Sequence, residues 1–184
     1  MTSKVDANYR YIAAANELNV RIAQRQQLLA LYTTLVLGLL AALVAFRPET
    51  GGPRVPIEWL IMGFPVASLC LVFLNYKTEL ALTNLRNFLA ALERLGEAHL
   101  ELPSYNTDPS WADGANRARR FHDYSAALLV GSSNALGLGA LWRIHPGFFS
   151  WDSISVWLTG LTAIGTVAVL LWMPRWSYRP ARRG

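Results

Sequence analysis

The side chains of this sequence that could do chemistry inside a membrane are an amide and several hydroxyls within long apolar runs. Asn134 stands at the centre of the stretch GSSNALGLG, between apolar flanks. An amide in hydrocarbon needs a hydrogen-bond partner, because leaving it unpaired costs more free energy than one such bond contributes. Asn134 is therefore expected to clamp neighbouring helices. The alternative is that its amide lines a pore or cavity.

Hydroxyl side chains recur at helical spacing in two other apolar runs. The last run carries Ser155, Thr159, Thr162 and Thr166, and the first run carries Thr34. Serine and threonine can bond a carbonyl of their own helix, so such a stripe needs no further role. Beside an amide, the same stripe can also coat a narrow aqueous path. These five hydroxyls are therefore candidates for a clamp or a pore lining.

Small residues at regular spacing predict close packing between helices. Ala127, Gly131, Ala135 and Gly139 recur at every fourth residue of the third run, and Gly38 has a similar setting in the first. In lipid, backbones associate where small side chains let them approach. We expect these positions to form helix-packing faces, either within one chain or between copies of it.

Four apolar runs set the architecture that must position these residues. The predicted spans cover 28–46, 58–76, 124–142 and 153–174. Runs of about 20 residues cross a hydrocarbon core of about 30 Å as helices. Pro65, midway along the second run, removes one backbone hydrogen bond and predicts a kink. The sequence thus predicts an all-α integral membrane protein, with four transmembrane helices in a single domain over 1–184.

The sequence lacks the residue sets that catalysis and ion coupling require. The interiors of the four runs hold no Asp, Glu, Lys, Arg or His, which argues against proton relays, voltage sensing and ion-coupled transport. No phosphate-binding glycine loop, nucleophile elbow or metal-spaced His/Glu set occurs, and Cys70 is the single cysteine. We therefore expect no enzymatic activity, no cofactor and no metal.

The distribution of Lys and Arg predicts the orientation of the chain. Basic residues concentrate in the N-terminal segment, the middle connection and the tail, whereas the two short loops hold few. By the positive-inside rule, both termini and the middle connection are cytoplasmic in the cell (inner) membrane. Helical cytoplasmic segments are predicted at 3–27, 77–102 and 109–123. The net charge of +5 follows from this topology, so we expect no nucleic-acid partner.

Arginines near the predicted membrane edge are candidates for contact with lipid or with a partner: they are Arg117, Arg119, Arg120, Arg179, Arg182 and Arg183. Anionic headgroups anchor such basic clusters. The alternative occupants are a phosphate-bearing ligand or an acidic patch on a cytoplasmic protein. A heptad-like stripe from Ala81 to Leu102 could pack within the chain or around an oligomer axis.

The overall layout resembles the small multi-span membrane effectors of bacterial defence systems, including SLATT-type proteins. It shares with them a long helix, NYRYIAAANELNVRIAQRQQ, running into the first span, a short outer turn and a helix returning far past the second span. The resemblance implies an oligomeric protein that perturbs membrane integrity when a cytoplasmic partner or ligand signals. The leading prediction is a homo-oligomeric, channel- or pore-like effector controlled through its cytoplasmic helices. The alternative is a non-conducting anchor or scaffold for a cytoplasmic partner.

Overall fold

Five α-helices make up the part of the chain that the computed structural model describes, which is residues 6–47, 57–147, 149 and 153–180. The helices are α1 (Ala7–Ala45), α2 (Ile57–Glu93), α3 (Ala98–Glu101), α4 (Pro109–Ile144) and α5 (Ile154–Trp172). Within these ranges the chain is all-helical, and α1, α2, α4 and α5 are long and apolar enough to cross a membrane. The prediction of four such helices is confirmed, and the arrangement is typical of a multi-pass membrane protein.

Aspartate caps fix where two of the long helices begin. The Asp6 carboxylate accepts a 3.2 Å hydrogen bond from the backbone N–H of Asn8 at the start of α1. Asp108 likewise accepts a 2.8 Å bond from the backbone N–H of Ser110, with Pro109 at the first position of α4. These carboxylates satisfy N–H groups that have no partner within the helix.

Helix α2 keeps Pro65 in its interior but ends earlier than the predicted segment 77–102. The helix runs unbroken past Pro65 and stops at Glu93. Glu97 then adopts a φ of 61°, a left-handed conformation that a right-handed helix cannot contain. Residues 95–101 form a 3₁₀ turn and the short α3 in place of a continuous helix.

The chain divides into two compact units. One, called here the polar unit, comprises 1–27, 75–122 and 173–184, and the other, the apolar unit, comprises 28–74 and 123–172. The apolar unit begins at residues 28 and 123, which match the predicted starts of the first and third spans at 28 and 124. The described polar unit contains the first part of α1, the last part of α2, α3 and the first part of α4.

The core of the apolar unit depends on two glycines that let helices approach closely. A methyl group added at Gly137 of α4 would lie 3.1 Å from the Phe64 ring of α2. One added at Gly63 would lie 2.8 Å from the side chain of Leu39 on α1. Phe64 is fully buried, so any larger residue at Gly137 must displace it or move the helix. Neither glycine belongs to the helix-packing faces predicted from the sequence.

Candidate functional site

Four buried polar side chains of the apolar unit form a hydroxyl–amide cluster that joins three helices. Its members are Tyr32 of α1, Ser68 of α2, and Ser133 and Asn134 of α4, and each is at most 4% exposed. The Tyr32 hydroxyl lies 2.6 Å from the Ser133 hydroxyl and 3.1 Å from that of Ser68. The Asn134 amide nitrogen donates a 2.8 Å bond to the Ser68 oxygen. The cluster therefore links α1, α2 and α4 through side chains alone.

The hydroxyl protons of this cluster are fully used within the protein. Ser68 lies 2.8 Å from the Phe64 carbonyl, and Ser133 lies 3.1 Å from the Val130 carbonyl. Three hydroxyl protons thus serve four short contacts, so at most three of these bonds form at one time. When both serines donate to carbonyls, Tyr32 donates to Ser133, its nearer neighbour. No hydroxyl proton remains for water or solute.

Asn134 uses both of its donor protons inside the protein. Its amide nitrogen donates to Ser68 and also, at 2.8 Å, to the Val130 carbonyl one turn back. Its amide oxygen is buried and has no hydrogen-bond partner among the described residues. At 1% exposure, the side chain lies between α4 and α2 and does not reach the protein surface.

The hydroxyl stripe of α5 splits between the interior and the edge of the apolar unit. The buried members are Thr159 and Thr166, and the half-buried ones are Ser155 and Thr162. Thr166 donates to the Thr162 carbonyl at 2.7 Å, the bond within one helix that such residues usually form. The Thr159 oxygen is buried without a hydrogen-bond partner in the described chain. In this protomer the stripe is divided, so it does not form one continuous polar surface.

The small-residue face predicted on α4 is divided in the same way. Ala127 is buried, and a methyl group added at Gly131 would lie 3.6 Å from Val167 of α5. Ala135 and Gly139 are exposed, and nothing lies within 4 Å of a methyl group added at Gly139. On α1, Gly38 and Thr34 are exposed too, and Thr34 donates a 3.1 Å bond to the Ala30 carbonyl.

The buried face of α4 in its last turns passes instead through Ser133, Asn134, Gly137 and Leu141. The amide must avoid lipid, and a methyl group at Gly137 would crowd the Phe64 ring at 3.1 Å. These two requirements turn the face of α4 away from Ala135 and Gly139.

The polar unit holds a second candidate site, called here the arginine cavity. The cavity has a volume of about 270 Å³. Its lining includes Arg25 of α1, Arg86 of α2, and Arg119 and His122 of α4, with Ile22 and Leu82 among its apolar walls. Three helices thus direct cationic or imidazole groups to one small space.

A buried carboxylate, Glu79, connects two of these arginines. Glu79 is 0% exposed, and its Oε2 lies 3.8 Å from Nη1 of Arg25 and forms a short ion pair with Nη2 of Arg119. Its Oε1 lies 3.5 Å from the Thr83 hydroxyl. A single acidic side chain on α2 therefore binds α1 and α4, and it holds both guanidinium groups beside the cavity.

The third arginine of the cavity, Arg86, has a neutral partner. Its Nη1 donates a 3.4 Å bond to the amide oxygen of Asn116, and no carboxylate of the described residues lies within 4.0 Å of it. Burial lowers the pKa of Arg86, against the opposing effects of Tyr105 and Tyr178. Desolvation of this cation is thus not offset by an ion pair.

His122 is neutral at physiological pH in this setting. Burial, followed by the positive charges of Arg25 and Arg119, lowers the pKa of His122 to about 4. Its Nε2 is buried and has no hydrogen-bond partner among the described residues. A neutral imidazole can carry its proton on Nε2 and donate it to an acceptor in the cavity.

The lowered pKa of His122 predicts that acid destabilises the polar unit. The pKa of His122 in the folded state lies below its unfolded value of 6.5. The contribution of the neutral imidazole to the free energy of unfolding is therefore complete above pH 6.5 and is lost as pH falls toward 4. Thermal unfolding in detergent should show this loss in the wild type and a weaker loss in His122→Gln. Equal acid sensitivity of the two proteins would show that other groups cause it.

The basic residues predicted to contact lipid or a partner divide into inward and outward groups. Arg119 turns inward to Glu79, whereas Arg117, Arg120 and Arg179 are exposed. Arg182 and Arg183 lie outside the described residues. Within the predicted basic cluster on α4, Arg119 therefore lies in the interior of the polar unit, whereas Arg117 and Arg120 lie on its surface.

The C-terminal tail is held to the polar unit by specific hydrogen bonds. Glu93 accepts bonds from the Tyr11 hydroxyl at 3.1 Å and from the Asn106 amide at 2.7 Å. Tyr178 donates to the Asn106 carbonyl at 2.7 Å, and its own carbonyl accepts a 2.8 Å bond from Asn116. The two bonds of Tyr178 hold the tail against Asn106 and Asn116, a contact that the sequence does not predict.

The heptad-like stripe predicted between Ala81 and Leu102 does not form the main buried face of α2. Phe88 is 44% exposed and Leu95 is 55% exposed. The polar unit instead buries Leu82, Leu89 and Ala90. The buried face of α2 in this unit is therefore the one that also carries Glu79.

The described residues contain no group of three or more His, Cys, Asp or Glu side chains that could hold a metal ion. Comparison of the chain with protein-family models, curated proteins and solved structures finds no match.

Proposed function

We propose that this protein is a non-conducting membrane anchor that presents its polar unit to a cytoplasmic partner or ligand. The observation that carries the proposal is the hydroxyl–amide cluster. Asn134, the strongest candidate for a pore lining, uses both amide protons on Ser68 and Val130 within one protomer. A path for ions requires polar groups that face water, and this amide faces the interior.

The distribution of positive charge supports the orientation of the anchor. The polar unit contains most of the Lys and Arg residues of the sequence, including those of the N-terminal segment, the middle connection and the tail. Segments with such an excess of Lys and Arg remain on the cytoplasmic side of the inner membrane. The exposed Arg117, Arg120 and Arg179 are then available to anionic headgroups or to an acidic protein surface.

Internal bonding makes the polar unit suited to presenting a fixed surface. Glu79 connects α1, α2 and α4, and Glu93 connects α1 and α2 with residues 104–106. Rigid elements hold a recognition surface more accurately than loops do. A cytoplasmic protein that binds this unit would be localised to the membrane.

The second candidate function is the homo-oligomeric, channel-like effector that the SLATT-type resemblance implies. Its support is the exposure of the small positions Gly38, Ala135 and Gly139, which no neighbouring side chain covers within the described protomer. Such positions favour helix association in lipid. A pore would then form between protomers, controlled through their cytoplasmic helices.

The substitution Gly139→Leu separates the two candidates through assembly. A methyl group added at Gly139 has no neighbour within 4 Å, so the anchor proposal expects native mass spectrometry to show the same assembly state as in the wild type. Gly165→Leu, on the exposed face of α5, is the matched control because a methyl group added there has no neighbour within 4 Å either. The effector would be favoured if the wild type were an oligomer that dissociated in Gly139→Leu but not in Gly165→Leu.

A further inference from the structure

We propose that the arginine cavity binds a single phosphate group, carried by a small soluble phosphate ester or by a phospholipid headgroup. This inference concerns the polar unit alone and holds whether the protein is an anchor or a pore. It rests on three features of the cavity: a half-buried cation with no acidic partner among the described residues, a buried imidazole nitrogen with no hydrogen-bond partner among them, and a volume suited to a small ligand.

Arg86 provides the first feature. The described neighbour of its half-buried guanidinium is the neutral amide of Asn116 at 3.4 Å, which is a long hydrogen bond. Buried charges are normally paired, because desolvating an unpaired ion is costly. The planar guanidinium fork of Arg86 matches two oxygens of a phosphate. An anion in the cavity would supply the missing charge.

His122 provides the second feature. Its buried Nε2 has no hydrogen-bond partner among the described residues and belongs to a ring that lines the same cavity as Arg86. A buried polar atom of this kind is rare in folded proteins. A neutral imidazole with its proton on Nε2 would donate to a phosphate oxygen, whereas a cation in the cavity would be repelled by the arginines.

Cavity size and position favour a compact ligand. The volume of about 270 Å³ is at the lower limit for small-molecule sites and accommodates a phosphate on a short organic group. Arg25 and Arg119 add positive charge on two further sides, while Glu79 fixes their positions. Gln26 and His122 lie two residues before the predicted first and third spans, which makes a headgroup phosphate a realistic source.

The test uses the full-length protein and two sources of phosphate. In detergent at constant ionic strength, glycerol 3-phosphate should raise the thermal unfolding temperature of the wild type relative to chloride, as expected for a ligand of the folded state. In nanodiscs, native mass spectrometry should detect retained phosphatidylglycerol if the headgroup is the ligand. Stabilisation by the soluble ester alone identifies a soluble ligand, and retention of lipid alone identifies the headgroup.

Two variants and one control make the assignment specific. Arg86→Gln should weaken phosphate binding about tenfold, the effect of losing one charge-assisted hydrogen bond. Arg10→Gln removes the same charge from an exposed arginine outside the cavity and should bind as the wild type does. If Arg86→Gln does not fold, His122→Ala supplies the same test. The proposal is overturned if neither source binds, or if Arg10→Gln reduces binding as much as the cavity variants do.

Discussion

The substitution Glu79→Gln is expected to lower the free energy of unfolding by about 3–5 kcal/mol, the cost of breaking a buried ion pair from one side. Glu79 is 0% exposed and binds Arg25 and Arg119 through the same oxygen. Glutamine preserves the shape but removes the charge. Two largely buried guanidinium groups would then lose a shared counter-charge that also holds three helices together.

Denaturant unfolding in mild detergent measures this effect, and Glu17→Gln is its matched control. Glu17 pairs with Arg21 at 2.6 Å on one exposed face of α1, where the two side chains are 44% and 37% exposed. Exposed pairs at this spacing contribute about 0.3–0.5 kcal/mol. Equal losses in the two variants would contradict the structural role assigned to Glu79.

The substitution Gly137→Leu is expected to destabilise the apolar unit by about 1–3 kcal/mol through overpacking. Even a methyl group at this position would lie 3.1 Å from the buried Phe64 ring, so leucine must push α4 away from α2. The same movement would lengthen the bond between Asn134 and Ser68. Thermal unfolding in detergent, followed by circular dichroism, measures the loss.

Gly139→Leu is the control for this prediction, because it places the same side chain two residues further along α4, where an added methyl group has no neighbour within 4 Å. Its unfolding temperature should remain close to that of the wild type. If Gly139→Leu destabilised the protein more than Gly137→Leu, the face that α4 buries would have to be the one predicted from the small residues.

Local sequence patterns predicted the helices of this fold, because apolar composition and length determine whether a segment can cross a membrane. The segments of the apolar unit begin at residues 28 and 123, at the start of the first apolar run and one residue before the third. The end of α2 was not predicted, since apolar periodicity continues to Leu102 while the chain turns at Glu97. That turn brings Ser104 and Asn106 onto Glu93.

The sites were harder to predict because they depend on contacts between distant segments. The short contact between Tyr32 and Ser133 joins residues 101 positions apart, and a single sequence carries no sign of that pairing. Asn134 was recognisable as a residue in need of a partner, but its partner Ser68 was not. Arg119 looked like one member of an exposed basic cluster, because the buried Glu79 that turns it inward lies 40 positions earlier.

The most direct test of the proposed anchor is ion flux through liposomes that contain the purified wild-type protein. If the hydroxyl–amide cluster is internal packing, the wild type and Asn134→Leu should both show the flux of protein-free liposomes, with or without glycerol 3-phosphate. Asn134→Leu should differ only by a loss of stability of about 1 kcal/mol. The proposed anchor would be contradicted if the wild type conducted ions and Asn134→Leu abolished this flux while the protein remained folded and inserted.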